Sequence, residues 1–164
     1  MKAKLLLATL IFLTVAACQK DNPVPPADNH DSVVTGDVNL ADAFVGTWDA
    51  TTKAVMQAPI LGSITREEKT TYTIADQGDG NVSITVTSDD YGTSSTDGVV
   101  DEAGLHMGSY QQQSTFWGFS FTMTVAPTLI PKPSADTLAW STTISGTVGF
   151  YNANGTLDIT ATKR

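Results

Sequence analysis

From Gly46 to Arg164, apolar and polar side chains alternate with a period of two, and this limits the fold more than any other property of the chain. Successive side chains of an extended strand point to opposite faces, so such alternation places one face in a core and the other in water. In the first such segment Trp48, Ala50 and Ala54 share one parity, while Thr47, Asp49, Thr51 and Lys53 take the other. Tyr72 and Ile74 precede Gly78-Asp79-Gly80-Asn81, whose residues tolerate positive φ, and Val82, Ile84 and Val86 follow it, which is the pattern of a hairpin. Trp117, Phe119, Phe121, Met123 and Val125 form the most aromatic face, and Leu138, Trp140, Ile144, Val148 and Phe150 form another. A turn is expected at Asn152-Ala153-Asn154-Gly155, followed by a last strand with Leu157, Ile159 and Ala161 inward. Residues 89–103 are the least regular. About eight strands with short connections leave no room for crossover helices, so neighbours pair antiparallel, and closure into a barrel covers the apolar faces and removes the edges. The expected fold is all-β, an antiparallel up-and-down barrel of about eight strands.

The N-terminal segment has a different character. Lys2 and Lys4 precede an apolar run from Leu5 to Ala17, broken only by Thr9 and Thr14, which ends at Val15-Ala16-Ala17-Cys18. A helix over that run rises only about 20 Å, short of a hydrocarbon core of roughly 30 Å, so a secretory leader fits better than a membrane span. The motif resembles a bacterial lipobox. That resemblance implies cleavage before Cys18, attachment of a diacylglycerol to its sulfur, acylation of the new amino group, and anchoring in the cell envelope, at the outer membrane and with cell-surface exposure as one topology. Residues 18–42 are polar and carry Pro23, Pro25 and Pro26, the composition of a tether. Within it Asp31-Ser32-Val33 resembles an O-glycan attachment site, although ordinary linker composition accounts for it more simply. The expected division is 1–17 leader, 18–42 lipidated cysteine and tether, and 43–164 barrel.

The charge is −8 for the whole chain, and it falls to −10 once Lys2 and Lys4 leave with the leader. Phosphate backbones repel such a domain, so nucleic acid is excluded as a partner and the membrane contact is assigned to the acyl chains. A single cysteine allows no internal disulfide, so the head must hold itself by its core, as an independent monomer. Catalytic equipment is sparse. Outside the tether the chain has one histidine, His106, between Leu105 and Met107 on the parity that faces water, and no Gly-x-Ser-x-Gly sequence. Asp76 to Asn81 has the oxygen ligands of a calcium loop but not its spacing. Neither catalysis nor a metal or other cofactor is expected.

Phe44-Val45-Gly46-Thr47-Trp48 at the start of the first strand resembles the Gly-x-Trp opening of lipocalins and the wider calycin group. Together with the lipobox, the tether and a last strand ending in Lys163-Arg164, the chain is similar to lipid-anchored lipocalin-like domains of Gram-negative bacteria. The resemblance spans residues 43–164 and implies a cation from the last strand over the Trp48 indole at a closed end. It also implies capture of a small apolar or amphipathic ligand at an open end. The chain departs from the family in lacking its disulfides and its C-terminal helix. Candidate lumen residues are Trp48, Tyr72, Trp117, Phe119, Phe121, Trp140 and Phe150, which either fill a core or line a cup. Arg66 and Glu68 share the inward parity of Tyr72; either they line a polar mouth, or a later strand start or a bulge turns them outward, which is the plainer reading. Ligand capture and a role as a protein-interaction module, such as an inhibitor or accessory subunit, are the two functions such a barrel supports.

Overall fold

Alternation becomes strand along nearly all of the described chain. The computed structural model describes residues 39–59, 62–116, 119–148 and 150–164, without the side chains of Ala58, Ser114, Thr115, Phe116, Phe119 and Val148. The leader, Cys18, the tether up to residue 38 and Trp117 lie outside the described residues. One short 3-10 helix, Leu40–Ala43, precedes ten strands: β1 Gly46–Ala58, β2 Gly62–Gly78, β3 Asn81–Ser88, β4 Gly92–Val100, β5 Leu105–Met107, β6 Tyr110–Phe116, β7 Phe119–Val125, β8 Thr128–Ile130, β9 Thr137–Val148 and β10 Tyr151–Lys163. They form a single antiparallel sheet in the order β6-β7-β9-β10-β1-β2-β3-β4-β5-β8, curled into a half-barrel.

The register follows from the side-chain phase. Trp48 stands opposite Tyr72 on β2 and Lys163 on β10, so the first and last strands pair directly. Trp48, Tyr72, Ile74, Val82, Ile84, Val86, Leu138, Ile144, Leu157 and Ile159 are all buried on the concave side, while Thr51, Lys53, Thr73, Thr87, Ser141 and Thr160 are exposed on the convex side. At one end the 3-10 helix closes the sheet. Asn39 caps it through a bond from the Ala41 N–H to Asn39 Oδ1 at 3.1 Å, and Ala41 and Phe44 are fully buried. The β2–β3 turn lies at the same end; positive φ at Gly78, Asp79 and Gly80 makes the tight reversal that the sequence indicated there.

The strand count exceeds the expected eight because two extended runs are each interrupted. Only Gly108-Ser109 separate β5 from β6, and only Ala126-Pro127 separate β7 from β8. Pro127 has no N–H to give a ladder. Across both gaps the register is unchanged: Met107 pairs with Thr128, and Tyr110 with Val125. At the two ends of the strand order, side-chain hydroxyls reach neighbouring main chain. Thr96 Oγ1 donates to the Ser109 carbonyl (3.0 Å) and Ser94 Oγ to the Gln111 carbonyl (2.6 Å), while Thr128 Oγ1 donates to the Ser141 carbonyl (3.2 Å) and Thr142 Oγ1 to that of Ala126 (3.0 Å).

Two expectations are corrected. The β9–β10 reversal is not at Asn152–Gly155, because Tyr151 already pairs with Val148 and residues 152–155 continue β10. Gly155 marks a close approach of two strands: a Cβ there would collide with the Val55 carbonyl oxygen and lie 2.9 Å from Met56 Cα. In consequence Phe150, expected on the inward face, is the turn residue and is fully exposed.

Candidate functional site

The two ends of the curled sheet differ in chemistry. At the helix-capped end Trp48 is completely buried, its Nε1–H donates to the Phe44 carbonyl at 2.7 Å, and Lys163 Nζ stands 5.4 Å from the centre of its ring. Arg164 completes the corner by an exposed two-pronged pair with Asp49, at 2.6 and 3.1 Å. This end is closed by packing around the fully buried indole, so Trp48 belongs to the core.

The opposite end is built on the concave row of β2, where Ile64, Arg66 and Glu68 are half-buried and Thr70, Tyr72 and Ile74 beyond them are buried. The strand runs unbroken from Gly62, with no bulge before Asp76, so Arg66 and Glu68 keep the phase of Tyr72 and face inward. Ala54, Met56, Ile64, Phe121 and Met123 surround a narrow apolar space of about 30 Å³, covered by Arg66 and Tyr91. That volume is about enough for one water. The Arg66 guanidinium lies 5.0 Å from the centre of the Tyr91 ring and 2.6 Å from Asp90 Oδ2. A cation stacked on an aromatic face and held by a carboxylate makes a cover fixed at two points.

One layer below, Thr52 and Glu68 stand opposite each other across β1 and β2. Glu68 Oε2 accepts from Ser88 Oγ at 3.3 Å, and no other hydrogen bond of this carboxyl is made among the described residues. Burial pushes Glu68 up to about 7 against the opposing pull of Ser88 and Arg66, with the Asp90 charge adding to the rise. Deeper still, Tyr72 and Tyr110 meet through their hydroxyls; burial raises Tyr110 to about 12 and Tyr72 well above the ordinary phenol value, so both stay neutral. Thr52, Thr70, Ser88, Gln112 and Thr142 are also buried, so the interior carries polar groups among its apolar ones. Trp140 packs edge-on against Tyr72 at 5.2 Å, and its buried indole N–H has no partner among the described residues. Leaving such a donor unpaired costs about 1–3 kcal/mol.

Of the candidate lumen residues, Trp48, Tyr72, Phe121 and Trp140 belong to one buried cluster that runs from the closed end to the open one. Trp48 roofs the closed end, Tyr72 and Trp140 form the middle, Phe121 reaches the open end, and Phe150 points into solvent. Trp117 and the Phe119 side chain lie outside the described residues. Met56, Ile64, Asp90 and Tyr91 were missed. Met56 and Ile64 were accessible from parity alone, since they continue the rows of Ala54 and Arg66, whereas Asp90 and Tyr91 sit in a turn with no periodic signal. His106 is exposed on the convex face and pairs with Asp101 at 2.9 Å. Among the described residues no group of three or more His, Cys, Asp or Glu side chains stands together as a metal would require.

Fold and site together define an all-β protein with a curled antiparallel sheet, one sealed end, and a small covered apolar space at the other. Comparison with protein-family models gives no match, and comparison with curated proteins gives none.

Proposed function

We propose that the chain is a cell-envelope lipoprotein whose head is an eight-stranded, lipocalin-like barrel that binds a small apolar or amphipathic molecule at its open end, without catalysis, metal or cofactor. The barrel reading is supported by the constant register of β5 with β8 and β6 with β7. Joined through 108–109 and 126–127, they count as two strands, and the eight then pair in sequence around a ring that β1 and β10 close. The lipocalin likeness is supported at Trp48, where Lys163 lies over the indole beside the strand start.

The observation that carries the binding reading is the open end itself, where Met56, Ile64, Phe121 and Met123 surround a space under the Arg66–Tyr91 cover. Apolar walls that reach the rim under a cation held by Tyr91 and Asp90 are what support this reading. The space is small, so binding is weak and tolerant, and it requires the cover to move. The lipobox sequence supports a lipid anchor on Cys18 in the outer membrane, with 18–42 as tether and a monomeric head, and the acidity of the chain argues against nucleic acid. Fully exposed Phe150 beside half-exposed Tyr151 favours a second reading, a protein-interaction module using this rim, such as an inhibitor or accessory subunit.

An apolar fluorescent probe titrated into the protein separates the two. Saturation near one probe per chain, weakened by Phe121→Ala, is expected. No saturable binding to the folded protein, with a partner protein retained through gentle extraction and native mass spectrometry, would favour the interaction module.

A further inference from the structure

Phe150, at the β9–β10 turn, is 100% exposed, and Tyr151 beside it 46%. A phenyl ring in that position keeps its whole apolar area in water, and any surface that takes it out of water is favoured. Two other hairpins close at the same end of the sheet: Ala58 pairs with Gly62 and Phe116 with Phe119, as Tyr151 does with Val148. Asn154 of β10 stands opposite Gln57 of β1, and Gly146 of β9 opposite Met123 of β7, so the three closures are neighbours along the sheet. The fourth closure, where Ser88 pairs with Gly92, stops opposite Thr70, about eight residues or roughly 26 Å of strand short of Gly62. The open end is therefore cut obliquely, with the Asp89-Asp90-Tyr91 turn on its low side and three hairpins on its high side. Charge follows the same division. The high closures read Ala58-Pro59-Ile60-Leu61-Gly62, Phe116-Trp117-Gly118-Phe119 and Val148-Gly149-Phe150-Tyr151, without a charged residue in a chain of net charge −8. Asp89 and Asp90 stand on the low side, and the connections at the helix-capped end carry Asp79, Asp101, Glu102, Lys132 and Asp136.

We infer that the high rim is a lipid-contact surface: the Phe150-Tyr151 tip, with the β1–β2 and β6–β7 closures beside it, rests in the interface of a neutral bilayer, a contact additional to the acyl chains proposed on Cys18. It is independent of ligand binding and rests on the envelope reading only for the presence of a membrane. The missing charge is what selects lipid over a protein partner. A protein interface surrounds its apolar centre with a polar rim and accepts ions there, whereas at a hydrocarbon boundary every charge is costly. Aromatic side chains suit that boundary, where a phenol keeps its hydroxyl among the headgroups while its ring faces the acyl chains. Tips spread over three hairpins also suit a fluid surface that conforms to each, since a protein would have to match all of them in shape at once. Asp89 and Asp90 would be repelled by anionic headgroups, which makes the lipid a zwitterionic one. Chain length permits the contact. The described chain starts at Asn39 at the helix-capped end, and residues 18–38 when extended span roughly 70 Å, against about 43 Å for the 13 residues of β1.

The test uses the full chain reconstituted in phosphatidylcholine vesicles, with either ordinary or brominated acyl chains, because bromine quenches an indole only at close range. Phe150→Trp and, at the helix-capped end, Glu102→Trp each add one indole to the three native ones, and the emission of the unchanged chain is subtracted. The indole at position 150 should be quenched by brominated lipid severalfold more strongly than the one at 102. Asn152→Trp, an exposed neighbour of the tip, leaves Phe150 and Tyr151 in place and should be quenched as well. Adding Phe150→Ser and Tyr151→Ser, both at exposed positions, should reduce that quenching severalfold. Equal quenching at 150 and 102, quenching at 152 that survives the two serines, or none at 150 in a chain that floats with the vesicles overturns the lipid contact and leaves the anchor reading in place. An unquenched indole at 150 together with a partner protein retained in native mass spectrometry gives the rim to the interaction module instead. A chain that does not float with the vesicles overturns the contact and the anchor together.

Discussion

Trp48 loses every contact with water and makes both a hydrogen bond and a cation–ring contact. Trp48→Ala should therefore lower stability by about 3–5 kcal/mol, whereas Thr51→Ala on the exposed convex face should change it by about 0.5 kcal/mol or less, as read from urea unfolding. Glu68 gives a second prediction, in which the sign matters. Its carboxyl is raised in the folded state from 4.5 to about 7. The folded protein thus holds this proton more firmly than the unfolded chain, and stability falls as pH rises from 4.5 through 7. Glu68→Gln should be nearly neutral near pH 4.5 and should raise the melting midpoint above pH 7, by an amount worth about 1 kcal/mol after discounting for a half-exposed group. A stabilisation independent of pH would show that burial of the charge is not the cause. Arg66 and Glu68 were readable in the sequence because parity carries back along a strand from Tyr72. Tyr91 was not, since a three-residue turn has no period to extend.

Gly155 shows how an element can be misread from turn chemistry. Asn152-Ala153-Asn154-Gly155 has the composition of a reversal, yet its residues pair in order with β9 on one side, and from Asn154 onward with β1 on the other. The glycine is there because the β1 main chain comes too close for a side chain. Gly155→Ala should cost about 1–3 kcal/mol, and Asn154→Ala, at an exposed neighbouring position, much less; thermal melting of the two variants checks this. A turn would have tolerated both. Strand β6 escaped notice for the opposite reason. Gln111-Gln112-Gln113 has no hydrophobic contrast, although Gln112 is buried and its neighbours are exposed, so the strand alternates in burial without alternating in chemistry. Strands β1 to β3 and the last strand were legible because contrast and burial coincide there, whereas β4, Gly92–Val100, lies in the Ser/Thr/Gly-rich stretch where the chemistry gives little contrast.

For the whole molecule, an all-β fold held by a single core without disulfides should give a strand-dominated circular dichroism spectrum that neither reductant nor chelator alters. Cys18→Ser should end incorporation of a labelled fatty acid, and persistence of label would remove the proposed anchor. That the chain folds as one curled sheet was legible from period and connection length. Interruptions at Gly108-Ser109 and Ala126-Pro127 were not, because they leave the register unchanged and so leave no trace in the alternation. The hydroxyl bonds beside those interruptions have a consequence for motion. Where Ser94, Thr96, Thr128 and Thr142 reach across to carbonyls, rotation of a side chain is enough to let go, and beside them the main chain adds the bonds from the Gly108 N–H to the Asp97 carbonyl at 2.8 Å and from the Ala126 N–H to the Thr143 carbonyl at 2.9 Å. Deuterium should therefore enter the wall first along these two seams, while the main-chain zip between β1 and β10 exchanges last.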